Sequence, residues 1–428
     1  MKLFISNLLF FFFFLPNLSA QNCLPGFNFF TTQEQIDSFP IHYQGCHFIE
    51  GSLQIGDFGT NITHLDSLYP ITSIEGDLII FYNENISNFN GLQNLASVGQ
   101  NLNIKLNSVN SMEGLEGLIS VGGDFIINDN DSLVNLIGLE KINFIGNEFF
   151  IFENEKLVDL QGLENLTSMT GLRVHDNILL QNFEGLNNVE KIDGSFDIVS
   201  NEALINFEGL ENVDSITGNF YVQSNDKLSG LEGLNNLKYC GKNFTLRNNK
   251  KLLSLEPLQN LKFIGGPSLN ISYNEILKSL SGIDNVEMSD LNSVSNIYFE
   301  YSDSLSFCSV RSVCDYLLAG GWYSLVDNKF GCNSSGEIFL NCDFTSTKNL
   351  EKEKELKIIP NPSFGKIEIE GLEELNGEIE IFNTIGQLVF SKSINGKSEF
   401  DLIFLPKGNY FLTIKSKEKT SIKKLILL

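Results

Sequence analysis

Side chains able to do chemistry are sparse in this sequence: it holds four His, three Arg and one Trp in 428 residues. None of the spacings H-E-x-x-H, G-x-S-x-G, a P-loop or C-x-x-C occurs, which removes the commonest metal, acyl-transfer, nucleotide and dithiol sites. Asp129 and Asp131 flank Asn130 and could offer oxygens to calcium, the one cofactor weighed, but Asx residues are also expected in turns. No catalytic residue and no resident cofactor is expected. Seven cysteines remain, and their meaning depends on the compartment.

The N-terminus supplies the compartment. Lys2 precedes an apolar run from Leu3 to Leu15 that contains Phe10–Phe14, Pro16 breaks it, and Leu18-Ser19-Ala20 ends on a small residue. This is a signal peptide over residues 1–20 with cleavage before Gln21. The run is too short to span a membrane core of about 30 Å, and no later segment is long and apolar enough, so no membrane span is expected. In an exported chain the cysteines are disulfide candidates: Cys23 with Cys46, and Cys308, Cys314, Cys332 and Cys342 together. A helix over Phe307–Leu318 puts Cys308 and Cys314 about 240° apart, so they should not bond each other. Pairing 308–332 with 314–342, or 308–342 with 314–332, stays open.

The elements that must position everything else come from a repeat. Asn83, Asn107, Asn130, Asn154, Asn177, Asn201, Asn225, Asn249 and Asn274 recur at steps of 23 to 25 residues. Around each Asn, apolar residues fall mostly three apart, as in Leu204, Phe207, Leu210, Val213 and Ile216, and end in an alternating pair, Phe220 and Val222. That spacing fits neither a helix nor a long strand. It fits a coil that turns a corner every few residues, with the alternating pair as a short strand. Coils stacked at about 4.8 Å give a parallel β-solenoid whose eight Asn-to-Asn steps span roughly 38 Å. Each Asn belongs at the corner after the strand, its amide bonding its own turn and the next coil. Gly91, Gly114, Gly138, Gly162, Gly185, Gly209 and Gly233 mark a second corner, and Pro257 replaces this glycine once. Cys240 takes the slot of Ile192, Ile216 and Ile264 and is read as a buried, unpaired small hydrophobe.

If the strands alternate, their outward residues form one ribbon. Phe81, Phe150, Phe152, Arg173, His175, Asp197, Tyr221 and Arg247 lie on it, and exposed aromatics beside Arg mark contact surfaces. They are the candidate ligand face. Residues 21–344 carry 15 basic and 41 acidic residues, a net charge of -26. Such a body repels nucleic acid and favours solubility or cationic partners.

Two resemblances follow from these motifs. Cys46-His47-Phe48-Ile49-Glu50-Gly51-Ser52-Leu53-Gln54-Ile55, repeated in part at Ile74-Glu75-Gly76-Asp77-Leu78-Ile79-Ile80, resembles the first strands of the receptor L-domain, a leucine-rich right-handed β-helix. The chain departs from it in length, with about ten coils, and hormone binding is not implied. In the tail, Pro360-Asn361-Pro362-Ser363-Phe364-Gly365, Ile385-Gly386-Gln387-Leu388-Val389 and Leu405-Pro406-Lys407-Gly408-Asn409-Tyr410 are similar to the sorting domain of the bacterial type IX secretion pathway. That resemblance implies passage across the outer membrane of a Gram-negative bacterium, by way of the periplasm, and the secretion machinery as a partner of residues 358–428. It also implies that the N-x-[ST] matches at Asn61, Asn85, Asn165 and Asn243 are by-products of an Asn-rich repeat.

The expected fold is all-β: a right-handed parallel solenoid of about ten coils over 21–305, a helical disulfide cap over 306–343, a linker over 344–357 and a β-sandwich over 358–428. The expected function is non-catalytic recognition or adhesion at the cell surface or in secreted form, with an unknown protein or glycan ligand. A polysaccharide lyase or hydrolase and a structural surface-layer component are the alternatives.

Overall fold

The computed structural model describes residues 21–288, 294–342, 357–370, 376–383, 386–395, 399–416 and 420–428; the expected signal peptide over 1–20 and nearly all of the expected linker lie outside them. The apolar triplets do fold into stacked coils. One parallel sheet of 13 strands runs from Phe27–Phe30 to Trp322–Val326. Nine of its strands precede the nine asparagines; two more stand at each end. The solenoid is therefore longer than the repeat alone indicates, because three of its four terminal strands are not followed by the consensus Asn, and Asn328 after the last lies beyond the break at Ser302. A second side carries a six-stranded and a five-stranded sheet, of two-residue strands except for Gln21–Cys23 and Cys46–Ile49 at its start, and the two sheets meet without pairing between Phe144–Ile145 and Ser168–Met169.

Within one coil Leu204, Phe207, Leu210, Val213, Ile216, Phe220 and Val222 all point inward and are fully buried. Burying each such side chain stabilises by roughly 1.5–3 kcal/mol before chain entropy is counted. Identical slots stack: the rings of Phe196, Phe220 and Phe244 lie 5.4 and 4.3 Å apart in nearly parallel planes.

The asparagines form a single buried column. Asn154 is representative. Its Nδ2 donates to the Ile127 carbonyl of the preceding coil at 3.1 Å and to its own Phe152 carbonyl at 2.8 Å. Its Oδ1 accepts the backbone N–H of Asn130 at 3.1 Å. The column outlasts the consensus. Asn274 N–H donates to Ser302 Oγ at 3.1 Å, and Ser302 N–H to Asn328 Oδ1 at 3.2 Å. At the other end it stops at Asn83, whose Oδ1 finds no partner among the described residues; Gly56 of the preceding coil packs there, and a Cβ on it would lie 2.4 Å from that oxygen. The residue before each column member, Ser200 and Tyr82 among them, has φ near +55°. Left-handed backbone at non-glycine residues is costly, and the Asn side chain, bonding the carbonyl two residues back, holds it there. At the other corner Gly209 has φ +103°, and a Cβ would sit 2.0 Å from the Phe183 carbonyl oxygen of the coil below.

The disulfides are Cys23–Cys46, Cys308–Cys332 and Cys314–Cys342, which decides the open pairing. The cap helix is shorter than expected, Arg311–Leu318, so Cys308 precedes it and the angular argument on helical phase does not apply. The tail is a separate antiparallel unit of a three-stranded and a four-stranded sheet around Ile367, Ile369, Ile379, Ile381, Leu412 and Leu425.

Replacing Asn154 by Ala strands the Asn130 N–H and the Ile127 carbonyl in a dry interior, so it should cost about 2–5 kcal/mol. Asn83→Ala should cost about half as much, since Asn83 Oδ1 has no partner. Denaturant midpoints of the two variants check the ranking. Cys240 is buried and pairs in register with Ile216 and Ile264, and burial pushes its thiol up to about 11. The native chain at pH 8 should therefore resist iodoacetamide, and full labelling should appear only in denaturant.

Candidate functional site

The outward ribbon is real: along the large sheet, strand after strand buries alternate residues and leaves the others half-exposed. Parallel pairing sets the columns. Phe150, Arg173, Asp197 and Tyr221 are register partners on successive strands, and Phe152, His175 and Val199 form the neighbouring column.

Charge concentrates at one place on it. Arg173 Nη2 donates to Glu148 Oε1 at 3.0 Å, and Nε faces Glu148 Oε2 at 2.5 Å. Arg173 Nη1 lies 3.9 Å from Asp197 Oδ2, and His175 Nε2 lies 3.3 Å from Asp197 Oδ1. The guanidinium also lies 5.6 Å from the Phe150 ring centre, and the His175 and Phe152 rings are 4.9 Å apart. The hydrogen bond Arg173 donates to Glu148 holds its pKa above the ordinary value, and a guanidinium stays charged in any case.

Five of the eight candidate residues thus touch one another in a chain: Phe150, Phe152, Arg173, His175 and Asp197. Tyr221 joins Arg173 and Asp197 as lining of a groove of about 390 Å³ on the same face. Two do not belong. Phe81 packs on Phe58, three strands away, and Arg247 lies 4.9 Å over the Tyr273 ring in the outer column. Of the acidic pair beside Asn130, Asp129 is 3.7 Å from Lys105, and burial and Glu153 raise its pKa.

Two features went unread in the sequence. One is Glu148, which begins its strand and supplies the main partner of Arg173. Room for it comes from Gly171 on the next coil, where a Cβ would lie 3.1 Å from Glu148 Cγ. The available signal was spacing: Met169 to Leu172 is three residues, whereas Ile145 to Phe149 and Ile192 to Phe196 are four. The other is a second polar column at the corner entering the large sheet. Asp77 Oδ1 accepts Asn101 N–H at 2.9 Å and Asn101 Oδ1 accepts Asp124 N–H at 2.8 Å. Past the Glu148–Gly171 interruption it resumes, with Ser195 Oγ accepting Asn219 N–H at 3.4 Å and Asn219 Oδ1 accepting Asn243 N–H at 3.2 Å. Ser, Asp and Asn share this slot, so no single letter recurs to reveal it. Asn165 and Asn243, two of the N-x-[ST] matches, both bond backbone groups of neighbouring coils.

No helix among the described residues is long and apolar enough to cross a membrane. No curated protein matches the chain. Residues 357–428 match the secretion system C-terminal sorting domain, and the match does not extend into the solenoid. The carboxyl-terminal unit is a sorting domain of the type IX secretion system, which marks this chain for export to the cell surface or the extracellular space.

Proposed function

We propose that the solenoid is a non-catalytic recognition or adhesion module, carried outside a Gram-negative cell by its tail, and that the ribbon around Arg173 is its contact face. The observation that carries this reading is the Glu148–Arg173–Asp197 cluster with Phe150 against it, on the open face of a sheet. Ion pairs of this geometry hold an Arg and its flanking rings in one orientation, which lowers the ordering cost of binding. Phe150, Phe152 and Tyr221 supply rigid aromatic area of the kind that anchors interfaces. A glycoside-cleaving site needs one carboxyl group free to act as acid and another as base or nucleophile. The groove's one carboxylate, Asp197, and Glu148 beside it both face Arg173, which favours binding over turnover. The receptor L-domain resemblance at Cys46–Ile55 points the same way.

The triple variant Phe150→Ala, Phe152→Ala, Arg173→Ala should fold, since these side chains face outward, and should bind cells and polysaccharide-coated surfaces at least tenfold more weakly than the native chain. Unchanged binding removes the contact face. Appearance of shortened or unsaturated products from any polysaccharide, with or without calcium, makes the protein an enzyme and sinks the reading. Deleting residues 357–428 should leave the remaining chain inside the cell, measured by fractionation.

A further inference from the structure

The groove beside Arg173 carries hydrogen-bond donors whose direction the fold itself sets. In Asn219 and Asn243, Oδ1 accepts the backbone N–H of the following coil, at 3.2 and 3.1 Å. With Oδ1 committed inside the column, Nδ2 of each residue has no acceptor among the described residues, and both residues line the groove. Ser195 Oγ accepts Asn219 N–H and keeps its own hydrogen to give. These donors sit on successive coils, about 4.8 Å apart, in a row along the solenoid axis.

The groove's charge narrows the ligand. Its charged lining residues are Arg173 and Asp197, of opposite sign and 3.9 Å apart, and Arg173 is already held by Glu148. An anionic ligand needs an uncommitted cation, which this lining lacks, and the net charge of -26 over residues 21–344 repels polyanions. An extended peptide recognised by strand addition needs unpaired main chain, whereas the strands beneath the groove are paired on both sides. What fits is an uncharged molecule dense in hydroxyl oxygens, with apolar faces for Tyr221 and a repeat that can follow the coils.

We propose that this groove binds a neutral, unbranched polysaccharide laid along the solenoid axis, with Asn219 and Asn243 donating to successive sugars and Tyr221 packing on a ring face. The inference rests on the recognition reading above and names its ligand class.

The test uses the exported chain and the double variant Asn219→Asp, Asn243→Asp. Asp77 and Asp124 already hold this column elsewhere, accepting the next coil's N–H at 2.9 and 3.2 Å, so the fold tolerates the change while both donors vanish. Titration with soluble glucan, mannan and xylan, and with polygalacturonate as the anionic comparison, should give saturable binding to an uncharged polymer. The double variant should weaken it by roughly tenfold or more, each lost donor counting. Tyr221→Ala, which leaves the column intact, should weaken it likewise, and it carries the test if the double variant unfolds. Binding that survives both changes, or that goes to polygalacturonate alone, overturns the inference. If the Phe150/Phe152/Arg173 variant fails to bind cells while the Asn→Asp variant binds normally, the recognition reading stands and the polysaccharide groove falls. If the native chain binds neither cells nor any uncharged polymer, both fall.

Discussion

A buried carboxamide that bonds both its own turn and its neighbour's main chain is the constraint on which this structure depends. Each coil leaves a backbone N–H and two carbonyls to be satisfied at the corner after the strand, inside the stack. Asn is the shortest side chain with an acceptor and two donors on one planar group. It closes all three gaps at once: Asn177, for example, donates to the Ile151 and His175 carbonyls at 2.9 and 2.8 Å and accepts Asn154 N–H at 3.1 Å. Because the acceptor must meet the next coil's N–H, the column also fixes the rise between coils, and hence the register of the sheet. The left-handed residue before each Asn is a consequence, since it swings the amide inward.

The same logic gives a structural account of part of the acidity. At the glycine corner the N–H of Gly114, Gly138, Gly162 and Gly209 donates to the carboxylate two residues on, from Glu116, Glu140, Glu164 and Glu211, at 2.8 to 3.0 Å. Acidic residues there cap backbone donors as well as aid solubility. Glu116, Glu140 and Glu164 fill the slot on three successive coils, while farther along Asn187 and Asn235 flank Glu211 and keep the bond without the charge. A neighbouring column works in the other direction: Asn188, Asn212 and Asn236 donate to carbonyls of the preceding coil.

What could be read from sequence was what repeats as one letter. Nine asparagines and a row of glycines revealed the coil, its corners and the outward ribbon, because geometry admits few substitutes there. Ser302 and Asn328 were missed, since the coil from Asn274 to Ser302 is longer than its neighbours and breaks the period. The column at the groove was missed for a different reason: any side chain with an oxygen near Cβ or Cγ serves, so Ser52, Asp77, Asn101 and Ser195 share one job without sharing a letter. The disulfide pairing needed three-dimensional placement, because both alternatives fit the spacing.

Glu148 shows how the face gained its chemistry from an irregularity in an otherwise uniform stack. The coil ending at Asn177 is one residue shorter at the corner before its strand, and Gly171 stands where other coils place a polar column member. Three consequences meet there. The two-residue strands change from one sheet to another, the polar column is interrupted, and the space over Gly171 lets Glu148 reach across to Arg173. Regular coils repeat their outward side chains at a fixed spacing. A one-residue deletion removes a side chain and brings a carboxylate and a guanidinium together on a surface that the rest of the stack holds rigid. The deviation from the repeat is therefore the place to seek specificity, and the repeat is what keeps it in position.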